Sequence, residues 1–193
     1  MRYFRIVLTL SIMLGIMVQP LWAAKQAESK PKALAGQPAI IYLYGANESD
    51  RSFVDAARAG VERATKELKL SVFERRVTPN ENIYDVIKEV ADKGASPLIA
   101  VGYQNVMPVL NLAERYPHTR FTVIDGLVPP LYPNVQSIIF RDHEGAFLVG
   151  MIAAKTSRNS HVGFIGGMDI PLIRNFSVGY IQGARYADPA VLV

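Results

Sequence analysis

The chain of 193 residues is half hydrophobic and one-fifth charged, enough apolar material for the core of one domain or one and a half. Its formal net charge of +4 is scattered, two of the arginines being Arg2 and Arg5, and Arg75-Arg76, read as a solvated strand end, is the lone adjacent basic pair, so no nucleic-acid footprint is expected. The lack of cysteine removes disulfides, thiolate nucleophiles, thiolate metal sites and a lipid-anchored N-terminal cysteine.

Arg2 and Arg5 precede an apolar run over 6–18, and Pro20, Leu21, Trp22 and Ala23 follow. A positive start, a short apolar centre and a small residue at the cut site predict a secretory signal over 1–23, cleaved after Ala23. Residues 24–38, rich in Lys, Ala and Pro, are expected to be a disordered lead-in. The run A-I-I-Y-L-Y at 39–44 predicts a first strand, and 45–50 a turn in which Ser49 or Asp50 is placed to cap a helix. Phe53, Ala57, Val61, Ala64 and Leu68 share one face of that helix. Leu70, Val72 and, less regularly, Arg75 and Val77 suggest a second strand near a sheet edge. A second helix carries Ile83, Val86, Ile87, Val90 and Ala91 and ends at Gly94. A buried strand over 97–101 closes on Gly102-Tyr103, and Val106, Val109, Leu110 and Ala113 form a third helix with Pro108 an irregularity of its first turn. The strand at 121–124 ends in Asp125-Gly126. Pro129, Pro130 and Pro133 then stiffen a crossing loop before a strand at 135–140.

The stretch 140–176 reads as helix, polar turn, strand, glycine turn and helix. Asp142 is placed to cap the first helix, with Phe147, Leu148, Met151 and Ile152 on its apolar face. Gly145 and Gly150 suit close approach to a neighbouring backbone. After a polar break at 156–160, the run 161–165 is expected to be a strand covered on both faces. Gly166-Gly167 leads through Met168, Asp169 and Ile170 to Pro171, which suits the first turn of a helix over 172–186. Residues 190–193 look like the start of another strand, so the chain reads as truncated. Alternating strands and helices predict an α/β fold, a parallel sheet with helices on both faces. Binding residues are then expected at the carboxyl ends of strands, at 44–53, 102–104, 125–127 and 166–176. Enzyme signatures are missing: neither G-x-S-x-G, H-E-x-x-H nor a Walker lysine is present, His118 and His161 stand alone, and adjacent His143-Glu144 point apart. No catalysis, metal or cofactor is expected.

F-R-D-H-E-G-A-F-L-V-G-M-I-A-A, followed by H-V-G-F-I-G-G-M-D-I-P-L-I-R-N-F-S-V-G-Y-I-Q-G, closely resembles the basic membrane protein family. These are solute-binding proteins of ABC importers, typified by bacterial purine nucleoside receptors. Weaker agreement runs through D-R-S-F at 50–53, P-L-I-A-V-G-Y at 97–103 and Y-P-H-T-R-F-T-V-I-D at 116–125. The resemblance implies a type I periplasmic-binding fold, with parallel sheets flanked by helices in two lobes around a cleft. Residues 39–133 would be the N-terminal lobe, and 134–193 the crossover and the beginning of an incomplete second lobe. It implies a nucleoside-like ligand, an ABC permease in the inner membrane as partner, and a periplasmic location. In that family two aromatic rings sandwich the purine, and here they correspond to Phe53 and Phe176; both also suit the cores of their helices. Asp125 falls on the family's I-D motif as an acceptor for ribose or base donors, or as a turn residue with Gly126. Tyr103, at the end of its strand, joins this set. Asp169 is placed for ligand contact or, by preference, for capping the helix at Pro171. The family's aspartate after the first strand and its asparagine after D-x-S-F are replaced by Tyr44 and Val54, and Tyr44 offers either a third stacking face or a seal for the sheet. An exported sensory domain shares the same clamshell and is the alternative, an exported hydrolase a weaker one. Because a clamshell closes two lobes over its solute, this chain alone is expected to bind weakly or not at all and to associate through open sheet edges.

Overall fold

The computed structural model describes residues 33–43 and 51–193. The signal segment, Tyr44 and the expected caps Ser49 and Asp50 lie outside the described residues.

Five parallel strands form one sheet: β1 (Ala39–Leu43), β2 (Phe73–Val77), β3 (Leu98–Val101), β4 (Phe121–Ile124) and β5 (Val135–Ile138), in the order β2-β1-β3-β4-β5. β1 is buried along its whole length because helices cover both faces of the sheet. Its residues alternate between two cores. Ala39, Ile41 and Leu43 face the larger one, filled by Val86, Ile87 and Val90 of α2 (Ile83–Asp92) and by Val109 and Leu112 of α3 (Val106–Ala113). Ile40 and Tyr42 join Val101 on the other face, packed by Phe53, Val54, Ala57 and Val61 of α1 (Phe53–Leu68). α2 is well defined at both ends. Asn82 Oδ1 accepts from the Tyr84 amide at 2.9 Å, and Gly94 follows the last turn at φ +84°.

β2 is at the sheet edge, as its irregular pattern suggested. Its Arg75 is no free surface charge: the guanidinium pairs with Glu81, which also accepts from the Thr78 amide at 2.8 Å. The end of the expected disordered lead-in is ordered. Leu34 is buried, its amide donates to Lys93 O at 2.8 Å, and the Gly36 amide donates to Gly94 O at 3.0 Å, so 34–36 is stitched to the end of α2.

Beyond β5 lie α4 (Asp142–Thr156) and α5 (Pro171–Ala187), packed against each other. A Cβ on Gly150 would overlap the carbonyl of Tyr180, and one on Gly179 or Gly183 the carbonyls of His143 or Phe147, so the two backbones touch through glycine. The buried stripe of α4 is therefore small, Ala146, Gly150 and Ala154, and Leu148 and Ile152 of the expected apolar face are exposed. Gly145 faces open space rather than a neighbouring backbone. Asp142 is the first residue of α4 and makes no capping bond. The expected strand over 161–165 does not form: His161 makes an isolated parallel bridge to Leu192, and Ile165 is 99% exposed. A strand covered on both faces needs neighbours on both edges, and Leu192 is the only partner among the described residues. β5 stops at Ile138, two residues short of the expected end, which frees Ile139 and Phe140.

Candidate functional site

Three strand ends meet the start of α5. After β3, Gly102 opens a turn of 3₁₀ helix, Tyr103–Asn105, held by the buried Asn105, whose Nδ2 donates to Val101 O at 3.0 Å and Gly102 O at 2.9 Å. That bracing fixes where Tyr103 projects. After β4, Asp125 adopts φ +61°, a left-handed conformation that aspartate tolerates better than most residues. Its amide donates to Ile138 O at 2.8 Å. Gly126 follows because a Cβ there would stand 2.7 Å from a Val106 methyl and 3.2 Å from Tyr103 Cα. The turns after β3 and β4 are thus in contact, and they set Tyr103 and Asp125 side by side.

Facing them, the N-terminus of α5 closes a cavity of about 520 Å³. Tyr103, Met107, Asp125 and Leu127 line it from the turns after β3 and β4 and from α3, Phe140 and Asp142 from the end of β5 and the start of α4, and Ile170, Leu172 and Asn175 from the start of α5. The Tyr103 hydroxyl donates to Met168 Sδ at 2.9 Å, tying the β3 turn to the segment before α5. Burial, reinforced by the negative charge of Asp142, pushes the Asp125 carboxyl above the usual carboxylate range. A second cavity of about 550 Å³ holds Phe176, Phe164 and Tyr180, and Phe140 and Asp142 line it as well. These two residues stand where the cavities adjoin.

Of the residues singled out in the sequence, Tyr103 and Asp125 share the first cavity and Phe176 lies in the second. Phe53 is half-buried at the start of α1 and packs on the cluster of Ile40, Tyr42 and Val101, lining neither. Asp169 does not cap α5, whose N-cap position is Ile170. Its carboxylate takes the Arg174 guanidinium through two bonds, at 2.6 and 2.8 Å, and this pairing holds it below the usual range. Phe140, Asp142 and Asn175 line the cavity beyond the residues the sequence points to. The carboxyl end of β5 is a strand end like the others, and counting it would have brought Phe140 and Asp142 into view.

The sequence profile of the Bmp family, described as ABC transporter substrate-binding protein PnrA-like, matches residues 38–193. An uncharacterized lipoprotein of Pyrococcus furiosus is 33% identical over 154 residues, covering 78% of this chain and 38% of its own length. Basic membrane protein A of Borreliella burgdorferi is 28% identical over 158 residues, covering 81% of this chain and 46% of its own. Among solved structures, an ABC transporter solute-binding protein from Aeropyrum pernix superposes with a TM-score of 0.65 at 31% identity, over 81% of this chain and 44% of that one. The chain belongs to the basic membrane protein family of ABC transporter substrate-binding proteins, and its parallel sheet flanked by helices is the periplasmic-binding architecture. It spans less than half the length of these relatives.

Proposed function

We propose that the chain forms one wall of the receptor of an ABC importer, taking up a purine nucleoside-like solute outside the inner membrane and passing it to a permease. The observation that carries this reading is the cavity of about 520 Å³ at the carboxyl ends of β3, β4 and β5. Its volume lies in the range of about 300–1,000 Å³ usual for small-molecule sites. Its walls are apolar and aromatic, with Tyr103 and Phe140 among them, and its polar groups include the carboxylate acceptors of Asp125 and Asp142 beside the Asn175 amide. A flat base with a hydroxylated sugar meets both demands: the ring stacks, and the hydroxyls donate. On this reading Phe53 and Phe176 are the two sides of the aromatic sandwich, with Tyr44 a third stacking face, brought to one solute when the lobes close. The segment over 1–23 exports the protein, and the lipoprotein relative supports a location outside the cytoplasm.

Calorimetric titration of the protein expressed from its own gene with adenosine, guanosine, inosine and cytidine tests the reading. Saturable heat with at least one purine nucleoside is expected. Heat with none of the four counts against a nucleoside ligand.

A further inference from the structure

The cavity has an uneven charge. Asp125 from the end of β4 and Asp142 from the start of α4 both line it, and no lysine, arginine or histidine among the described residues does. The arginines nearest in sequence are engaged elsewhere, Arg141 by Glu144 at 2.5 Å and Arg174 by Asp169. Neither cavity carboxylate makes a side-chain hydrogen bond or ion pair among the described residues, so their acceptor sites are available to a solute. Among the described residues the opposing charge at the cavity is the N-terminus of α5, whose first turn has no side-chain cap. A helix end carries only about half a positive charge, less than the two carboxylates together. Asp142 also stands where the two cavities adjoin, on the path of any solute reaching from Asp125 to Phe176.

We infer that Asp142 is a specificity-determining residue: with Asp125 it makes the cavity admit a neutral or cationic hydrogen-bond donor and turn away the phosphorylated form of the same solute. The inference rests on the proposed nucleoside site for its choice of solute, not for its electrostatics. Like charges in a partly desolvated cavity repel far more than in water, where salt would screen them. The other titratable side chain lining the cavity is that of Tyr103, from the turn after β3; α5 contributes the uncharged Asn175.

The test uses adenosine and adenosine 5′-monophosphate on the protein expressed from its own gene. The monophosphate is expected to bind at least about tenfold more weakly. Asp142→Asn should narrow that ratio by about fivefold, chiefly through tighter binding of the monophosphate, and Asp142→Glu, which keeps the charge, should restore it. Raising the salt concentration should narrow the ratio in the unaltered protein, a readout that needs no variant to fold. Carboxyl-carbon NMR of Asp125 reads the pair without any solute: its titration midpoint should fall in Asp142→Asn. Equal affinity for both compounds, a ratio indifferent to Asp142→Asn and to salt, or an unmoved Asp125 midpoint would overturn the assignment. Failure of both compounds to bind, with the midpoint shifted as expected, would instead contradict the nucleoside reading and leave the charge pair standing.

Discussion

Asp125 is held in a left-handed turn, half-buried, beside a second negative charge, and its carboxyl therefore keeps its proton to higher pH than an unfolded-chain aspartate. A raised carboxyl means that the folded form binds the proton more tightly than the unfolded one, so stability falls as pH rises through the interval between the ordinary and the raised value. Asp125→Asn keeps the turn, since asparagine also tolerates positive φ. The variant should resist urea better than the unaltered protein at neutral pH, the advantage vanishing below the ordinary carboxylate range, while solute binding weakens. Glu81 works in the opposite direction. The bond from Arg75 and the Thr78 amide hold its carboxyl at about 2. A depressed value contributes stability above the ordinary range that disappears as pH falls through about 4.5 toward about 2. Glu81→Gln should lower the urea midpoint at neutral pH, with the gap closing in acid; a gap independent of pH would argue against the ion pair.

Among the elements, α2 and the α4–α5 pair make the sharpest demands on single residues. Asn82→Ala removes the acceptor of the Tyr84 amide and should cost about 1 kcal/mol in chemical denaturation. Gly183→Ala drives a methyl group into the Phe147 carbonyl, so α4 and α5 must separate, at a cost of about 1–3 kcal/mol or more. The first of these sites was legible in sequence, because asparagine before an apolar 3.6-residue period is a local signal. β1, β3 and β4 were legible for a similar reason, being short apolar runs between turn residues. The packing of α4 was not. Leu148 and Ile152 advertise an apolar face, yet the contact falls on Ala146, Gly150 and Ala154, because two helices can touch backbone to backbone only where side chains are small. Residues 161–165 have strand-like composition, but strand formation depends on neighbours that no local pattern reveals.

At the scale of the molecule, the cavity arises because the chain crosses from β5 into α4 and returns with the N-terminus of α5 opposite the turns after β3 and β4. Tyr103 and Asp125 could be named in advance, since the carboxyl ends of parallel strands gather the loops of an α/β fold. Phe140 and Asp142 follow the same rule at the carboxyl end of β5, but Asn175 could not be named, because its convergence on them depends on that return, set by the glycine contacts of α4 and α5. Ile139, Phe140, Leu148, Val149, Ile152 and Ile165 are all exposed, and large apolar side chains left in water favour association. Sedimentation of residues 24–193 alone should show species larger than a monomer that dissociate on dilution; a single monomeric boundary at all concentrations would contradict that expectation. The binding site itself is tested most directly by nuclear Overhauser contacts between bound adenosine and the protein's aromatic rings. Contacts from the base and ribose protons to Tyr103 and Phe140 are expected. A nucleoside that binds with its protons remote from both rings, or that does not bind at all, would contradict the proposed site.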